Sequence, residues 1–381
     1  MRWNTLATAA TLAAVTMAGL VAPAANAAEP AVLVPAADRE IRFTEDGTTA
    51  YGTLHVPAHR AGHRLPAALL LPGSGPTDRN GDEPPALTPG TLAAVAETLG
   101  EDGVMTLRFD KYFTGRTGAG AYQGDPGRLD LAAFTRQAAA AYTTLRDQPE
   151  ADPHAMLVVG HSEGGMQAVL VARTVRPAPA GLALLAPQDE RLLDVLTAQL
   201  DGQLDQAVAA GQVTEEAARA NKAALAAAVA DFRAGRPVDT GALLPSLAEL
   251  LNALFGPNNA RFVRSDDAVY PPDAARAIRP GTRVTVTCGT ADTNVPCATT
   301  PPLLAALARA HTSGPGLRTL DGVDHFLHPA GTSVNEHALA PAAVAVLHEF
   351  ARSWSVCDSH PDRSAANTTR CSGSYGTTPA T

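Results

Sequence analysis

Short apolar runs alternate with longer stretches of helical periodicity along most of the chain. The apolar runs have the length and composition of strands, and the stretches between them place apolar residues on one helix face. Strands are predicted at 39–45, 48–56, 65–71, 104–109, 155–159, 181–185, 283–287 and 317–320. Helices are predicted at 88–103, 130–148, 164–175, 303–310 and 339–354. This alternation predicts an α/β fold in which helices cover both faces of a mostly parallel sheet.

Two turn signals refine the ends of these elements. Asp46 and Gly47 separate the first two strands, and an Asp-Gly pair is typical of a hairpin, so these strands are predicted to be antiparallel. Thr88 is followed by Pro89 at the start of the first predicted helix. Because proline is favoured at the first helical position, Thr88 is predicted to be the N-cap.

The alternation is interrupted over 190–270, where the chain is rich in Ala, Leu and Gln and has no strand signal. A helical insertion between two strands favours a lid over the sheet edge rather than a separate domain. The core is therefore predicted to comprise 28–189 and 271–354. The remaining segment, 355–381, is rich in Ser, Thr and Gly and is expected to be a flexible tail that carries two cysteines.

Residues 1–27 have the features of a signal peptide. Arg2 precedes an apolar stretch of small residues, and Ala25-Asn26-Ala27 matches a cleavage site. Pro23 ends the apolar stretch, which favours export over membrane anchoring. The sequence therefore predicts a secreted, extracellular protein whose mature chain starts at Ala28.

Composition narrows the choice of partner. The 381 residues carry 29 Lys and Arg against 38 Asp and Glu, a net charge of −9, and the basic residues form no runs. Such a chain repels phosphate backbones, so nucleic acid and anionic membrane surfaces are disfavoured as partners. The sequence gives no prediction for the oligomeric state.

The four cysteines are Cys288, Cys297, Cys357 and Cys371. An even number in an exported protein predicts two disulfides, and three pairings are possible. Pairing of neighbours, Cys288 with Cys297 and Cys357 with Cys371, is favoured because short loops close most easily. No C-x-x-C spacing occurs, which disfavours a zinc site.

No metal or cofactor is predicted elsewhere in the chain. His55, His59 and His63 have the spacing of one helix face, but Pro57 would break that helix, so they are interpreted as surface histidines. The glycine-rich segment 73–75 lacks the G-K-[ST] that a phosphate-binding loop requires.

Residues 160–164, Gly-His-Ser-Glu-Gly, match the G-x-S-x-G pattern of a nucleophile elbow. A predicted strand precedes them and a predicted helix follows, as the elbow requires. The turn places the serine hydroxyl at the carboxyl end of the sheet, beside the positive end of the helix dipole. Ser162 is therefore the predicted nucleophile. The alternative is a glycine-rich turn with an exposed serine.

A serine hydroxyl needs a base, and the base needs a carboxylate that orients it. On this fold the chain order is Ser, acid, His. His325 follows the last predicted strand and is the predicted base, with His328 as its rival.

Asp292 is the only acid in the loop after the strand at 283–287, and it is predicted to orient the base. The alternative for Asp292 is a structural role in an Asx-turn. Asp324 adjoins His325 and should orient it poorly, because neighbouring side chains diverge. Asp321 would need the loop to fold back.

An oxyanion hole needs two N–H donors. They are predicted to be the backbone groups of Glu163, which follows the nucleophile, and Ser74, in the loop after the strand at 65–71. Gly75 is the rival of Ser74.

Three segments of the chain resemble motifs of a known family. Residues 73–81 match G-S-G-P-x-D-R-[ND]-G, and residues 160–165 match G-H-S-E-G-G. Residues 108–113 match the start of R-x-D-K-R-G but lack its final Arg-Gly. Over most of 39–354 the chain thus resembles the α/β-hydrolase superfamily, and more narrowly bacterial hydrolases related to dienelactone hydrolases and carboxylesterases.

The resemblance implies hydrolysis of a small-molecule ester through an acyl-enzyme, without a cofactor. Two alternatives stay open. The same residues could serve a peptidase or an acyltransferase, or the fold could be a non-catalytic scaffold for binding.

Overall fold

The computed structural model describes residues 32–355. The predicted signal peptide, Cys357 and Cys371 lie outside these residues. The described strands are β1 Leu33–Val34, β2 Ala37–Glu45, β3 Thr48–Val56, β4 His59–Arg60, β5 Leu65–Leu71, β6 Met105–Phe109, β7 Ala151–His161, β8 Gly181–Leu185, β9 Arg283–Gly289 and β10 Ser313–Leu320. The described α-helices are α1 Thr91–Glu101, α2 Leu131–Arg146, α3 Glu163–Thr174, α4 Leu192–Ala209, α5 Glu215–Arg233, α6 Pro245–Phe255, α7 Ala260–Asp267, α8 Pro271–Ala275, α9 Pro301–Arg309 and α10 Pro341–Ser355.

Eight strands form one sheet in the order β10-β9-β8-β7-β5-β6-β3-β2. The six strands from β10 to β6 are parallel to one another. β3 is antiparallel to both of its neighbours, β6 and β2. β1 and β4 form a separate antiparallel pair. The predicted mostly parallel sheet and the predicted hairpin between β2 and β3 are thus confirmed.

The apolar runs are continuous because the parallel strands are buried on both faces. In β5, Leu69 packs into the core formed with α2, α3, α8 and α9, while Leu70 packs into the core formed with α1 and α10. Successive side chains of a strand point to opposite faces, so both positions must be apolar. Because these strands run parallel, their carboxyl ends lie at one edge of the sheet.

Helices α4 to α7, the first four of the five α-helices between β8 and β9, have an apolar core of their own. The last of them, α7, packs on α2. Arg261 Nη2 lies 3.0 Å from Asp130 Oδ2, and the Phe262 ring meets the Phe134 ring at 5.4 Å between centroids. The Leu131 N–H, in the first turn of α2, donates to the Ser265 hydroxyl.

The prediction that Thr88 caps the first helix is wrong. α1 begins at Thr91, and its N-cap is Gly90, which has the positive φ of 63° that favours glycine. The Gly90 N–H donates to Asp82 Oδ1 at 2.7 Å, while the Thr88 N–H donates to Asn335 Oδ1 at 2.7 Å. Contacts with residues outside the helix thus set where the helix begins, overriding the local Thr-Pro signal.

Candidate active site

Ser162 lies at the sharp turn between β7 and α3. Its φ of 56° and ψ of −122° are strained for a residue other than glycine. A Cβ on Gly160 would overlap the Gly164 carbonyl, and a Cβ on Gly164 would overlap the Leu71 carbonyl. The Ser162 N–H donates to the Leu185 carbonyl at 3.0 Å, which ties the turn to the neighbouring strand. The flanking glycines are therefore sterically required for this turn.

Three residues predicted from separate loops lie in one hydrogen-bonded chain. His325 Nε2 lies 3.0 Å from Ser162 Oγ, and His325 Nδ1 lies 2.8 Å from Asp292 Oδ2. All three are buried. With the Nδ1 proton donated to the carboxylate, Nε2 carries the lone pair that accepts from the serine hydroxyl. This arrangement can take a proton from Ser162.

The rival residues are not part of this hydrogen-bonded chain. Among the residues that the structure describes, neither ring nitrogen of His328 has a hydrogen-bond partner, although the side chain is fully buried. Asp324 Oδ1 accepts from the N–H groups of Phe326 and His328, and so shapes the loop that carries His325. Asp321 accepts from the Thr290 hydroxyl at 3.2 Å.

Asp292 makes contacts of both kinds that the sequence left open, one with the predicted base and one within its own turn. Its Oδ2 faces His325, while its Oδ1 accepts from the Asn294 and Val295 N–H groups at 2.8 Å each. The second pair of bonds forms an Asx-type turn that fixes the carboxylate plane. The turn contact therefore orients the oxygen that contacts the histidine.

The predicted disulfide between Cys288 and Cys297 is confirmed. The two Cα atoms lie 5.3 Å apart, and the bridge joins the end of β9 to the far side of the loop that holds Asp292. The pairing of the other two cysteines stays a prediction.

His161 was not predicted to contribute to the site. Its Nε2–H donates to the His325 carbonyl at 2.8 Å, and the two rings lie 5.0 Å apart between centroids. Burial, together with the nearby His325, lowers the pKa of His161 to about 4. His161 is therefore neutral near pH 7 and holds the backbone of the predicted base. Its place directly before Ser162 was the available sequence signal.

The loop after β5 lies against Ser162. A Cβ on Gly73 would come within 3.4 Å of Ser162 Cβ. Among the described residues, nothing accepts a hydrogen bond from the N–H groups of Ser74 or Glu163, so both are available as donors. The same holds for Gly75. The assignment of Ser74 and Glu163 to an oxyanion hole stays a prediction.

Arg79 and Asn80, from one motif segment, bind Asp110 and Arg108, from another. We call this largely buried network the charge frame. The Arg79 guanidinium binds the Asp110 carboxylate with two bonds, Nη2–Oδ2 at 2.6 Å and Nε–Oδ1 at 3.0 Å. Arg108 donates to the Asn80 side chain. Burial opposes ionisation of Asp110, but Arg79 and the Arg116 N–H outweigh it and lower the pKa of Asp110. The frame positions residues 73–81 without a covalent link.

Beside this frame lies a cluster of buried charges that the sequence did not predict. Lys111 Nζ donates to the Gly73 carbonyl at 2.6 Å. Burial lowers the pKa of Lys111, although the carboxyls of Glu163, Glu83 and Asp266 oppose this. Burial raises the pKa of Glu163, while Lys111 lowers it. Burial, and then the charge of Glu163, raise the pKa of Asp266, which lies on α7.

Comparison with solved structures identifies the fold. Est1E from Butyrivibrio proteoclasticus, solved with ferulic acid bound, is 18% identical with a TM-score of 0.50, and the match covers 82% of this chain and 98% of that one. The Pyrococcus furiosus esterase Pf2001 is 15% identical with a TM-score of 0.51, covering 84% and 92%. Proline iminopeptidase from Mycobacterium smegmatis is 15% identical with a TM-score of 0.51, covering 83% and 99%.

The chain has the α/β-hydrolase fold. No protein-family model and no curated protein sequence matches it. In this fold, ligands bind at the carboxyl edge of the parallel strands, where the predicted site residues of this chain lie.

Residues 32–355 contain no group of three or more His, Cys, Asp or Glu side chains that could hold a metal ion. Nor does any helix in this part of the chain have the length and apolar character needed to cross a membrane.

Proposed function

We propose that this protein is a secreted serine hydrolase that cleaves small carboxylic esters through an acyl-enzyme. The observation that carries the proposal is the chain from Ser162 Oγ to His325 Nε2, at 3.0 Å, and from His325 Nδ1 to Asp292 Oδ2, at 2.8 Å. These distances lie within the range in which a base can take a proton from a nucleophile.

The geometry supports the following reaction. His325 takes the Ser162 proton as Oγ attacks the ester carbonyl, and Asp292 stabilises the imidazolium that forms. The N–H groups of Ser74 and Glu163 hold the oxyanion. His325 then gives its proton to the leaving alcohol, and a water molecule releases the acid from Ser162 by the same steps.

Ester hydrolysis is preferred over amide hydrolysis because of the motif resemblance and the esterase among the similar folds. The iminopeptidase among those folds keeps peptide hydrolysis as a second candidate. Transfer of the acyl group to an alcohol would use the same intermediate. A non-catalytic scaffold is disfavoured, since binding alone does not require a strained serine hydrogen-bonded to a buried His–Asp pair.

The test is a panel of p-nitrophenyl esters of increasing acyl length, with wild-type protein and Ser162→Ala. We expect wild-type turnover that falls by roughly 10⁴-fold or more in the variant, with an unchanged thermal unfolding midpoint. A fluorophosphonate probe should label Ser162 in wild type only. Matched p-nitroanilides separate an esterase from a peptidase. Equal turnover by Ser162→Ala, or no labelling, would contradict the proposal.

Secretion is tested separately on the full-length chain. The protein should be recovered from the culture medium of an exporting host, with an N-terminus at Ala28. Recovery from the cytoplasm with residues 1–27 intact would contradict this part of the proposal.

A further inference from the structure

Lys111 is a buried cation that contacts the loop beside Ser162, and hydrolysis as proposed above gives it no role. It comes directly after Asp110 in the segment that resembles R-x-D-K, and its ammonium group lies in the interior. A buried ammonium is costly unless its protons are bonded and its charge is balanced. The Lys111 ammonium donates a hydrogen bond to the Gly73 carbonyl at 2.6 Å.

The Gly73 carbonyl belongs to the same peptide unit as the Ser74 N–H. In a planar trans peptide the C=O and N–H bonds point in opposite directions, so fixing one fixes the other. Gly73 itself lies against Ser162, within 3.4 Å for an added Cβ. The Ser74 N–H has no acceptor among the described residues, so the bond to Lys111 constrains the direction of a free donor beside the nucleophile.

We propose that Lys111 is a positioning residue, which orients and polarises the Gly73–Ser74 peptide so that the Ser74 N–H can stabilise the oxyanion. This rests on the proposed hydrolase function and assigns a role to a residue outside the Ser–His–Asp chain. A charge-assisted bond to the carbonyl withdraws electron density from the peptide and makes its N–H a stronger donor. A neutral donor at this position would orient the peptide without the same polarisation.

The surrounding carboxyls fit this role. Three carboxyls from separate parts of the chain, those of Glu163, Glu83 and Asp266, favour the charged form of Lys111. Glu163 also carries the second predicted oxyanion donor on its backbone. Glu83 accepts from the Thr77 hydroxyl at 2.8 Å, and that hydroxyl also contacts the Ser74 carbonyl. Lys111 thus contacts the loop that carries one predicted donor, through the Gly73 carbonyl, and its charge interacts with the side chain of Glu163, whose backbone carries the other.

The test compares Lys111→Met with Lys111→Gln, two neutral, unbranched replacements of which only glutamine can donate to a carbonyl. Loss of a whole oxyanion donor costs about 10²–10³-fold in kcat. A misdirected donor should cost less, so we expect a loss of roughly 10–100-fold for Lys111→Met, with KM within about threefold of wild type. Lys111→Gln should recover part of that loss.

A second readout separates positioning from folding. An alkylboronic acid forms a tetrahedral, anionic adduct with a serine nucleophile, so its affinity depends on the oxyanion donors. Its Kd should rise in Lys111→Met by about the factor by which kcat falls. If the role of Lys111 were merely structural, the variants would have a lower unfolding midpoint, but their kcat per folded molecule and their boronate Kd would match those of wild type. Lys111→Met and Lys111→Gln would then have the same kcat. That result would overturn the proposal.

A second background covers the case in which Lys111→Met does not fold. Removing the Lys111 cation leaves the Glu163 carboxyl buried without its nearby positive charge. The Lys111→Met change is therefore made in the Glu163→Gln variant, and the double variant is compared with Glu163→Gln alone. The same 10–100-fold loss is expected there, and an equal kcat overturns the proposal.

The failure of this proposal is distinguishable from failure of the proposed function. If wild type hydrolyses esters, Ser162→Ala does not, and Lys111→Met matches wild type, only the role of Lys111 is wrong. If wild type neither turns over esters nor binds the boronic acid, both proposals are overturned.

Discussion

The two loops that flank Ser162 are held in place by different chemistry. The acid loop, residues 289–297, is closed by the Cys288–Cys297 bridge and by the turn that Asp292 forms with its own loop. The opposite loop, residues 73–81, has no such bridge and is held by buried charges on residues 108–111. The first arrangement is local in sequence and covalent, whereas the second joins distant segments and is electrostatic.

This difference predicts separate sensitivities. A disulfide responds to reductant and keeps its effect over a wide pH range, whereas a buried ion pair responds to loss of one partner. Removing one member of such a pair leaves an uncompensated charge in the interior, which is strongly destabilising. Loss of the Asp292 carboxylate should therefore reduce turnover more than stability, and loss of the Asp110 carboxylate that binds Arg79 should do the reverse.

The largest effect is expected from Asp292→Asn. The change should lower kcat by up to about 10⁴-fold, because an amide no longer holds the His325 tautomer that accepts from Ser162. Stability should change little, since the amide oxygen can still accept from the Asn294 N–H. Steady-state kinetics and thermal unfolding check both parts. Asp321→Asn is the matched control and should stay within about threefold of wild type.

Loss of the charge frame should have the next largest effect, and on stability. Asp110→Asn leaves the Arg79 cation without its charged partner at a site where the Asp110 side chain is only 3% exposed. We expect the free energy of unfolding to fall by about 3–5 kcal/mol. Urea denaturation measures it, with Asp46→Asn as control.

Asp46 pairs with Arg136 at the surface, and loss of that exposed pair should cost at most about 1 kcal/mol. Equal stability changes in Asp110→Asn and Asp46→Asn would show that the frame does not hold the 73–81 loop as described.

The disulfide should have a smaller effect on both quantities. The paired change Cys288→Ser and Cys297→Ser opens a ten-residue loop, for which the entropy estimate is about 2.5–3 kcal/mol. A more mobile Asp292 should lower kcat by about tenfold, less than complete loss of its carboxylate, with KM nearly unchanged. Dithiothreitol should reproduce the loss in wild type and have no further effect on the paired variant. Full activity in reduced wild-type protein would contradict this prediction.

The same contrast explains what could be predicted from the sequence. The apolar runs, the elbow at 160–164 and the pairing of Cys288 with Cys297 are signals carried by adjacent or nearby residues. The chain order Ser, acid, His then selected Asp292 and His325, because loops after parallel strands meet at one sheet edge. The structure places both side chains in the hydrogen-bonded chain to Ser162.

The charge cluster could not be predicted because its members come from distant segments. Nothing in the local sequence of Lys111 indicates that its ammonium reaches the Gly73 carbonyl. The position of Asp266 beside the charge of Glu163 depends on how α7 packs on the core. The wrong N-cap at Thr88 has the same origin, since Asp82 and Asn335 supply the contacts that the local pattern omits.

The smallest predicted effect is a gain of stability, and it concerns the point where the helical insertion meets the charge cluster. Asp266 is fully buried, and its Oδ2 has no hydrogen-bond partner among the described residues. Its pKa is raised in the folded protein, first by burial and then by the charge of Glu163. Above pH 4 the unfolded chain releases this proton while the folded protein retains it, so stability decreases as the pH rises.

Asp266→Asn removes this dependence and keeps an oxygen that can accept from Gln188, as Asp266 Oδ1 does at 3.2 Å. We expect the variant to be more stable than wild type at pH 8, because the amide has no proton to lose as the pH rises, with almost no difference at pH 4. Asp267→Asn is the matched neighbour. It loses the bond to Arg233 at 2.8 Å and should be less stable. Urea denaturation at both pH values decides, and a destabilised Asp266→Asn at pH 8 would mean that the ionised carboxylate is needed beside Lys111.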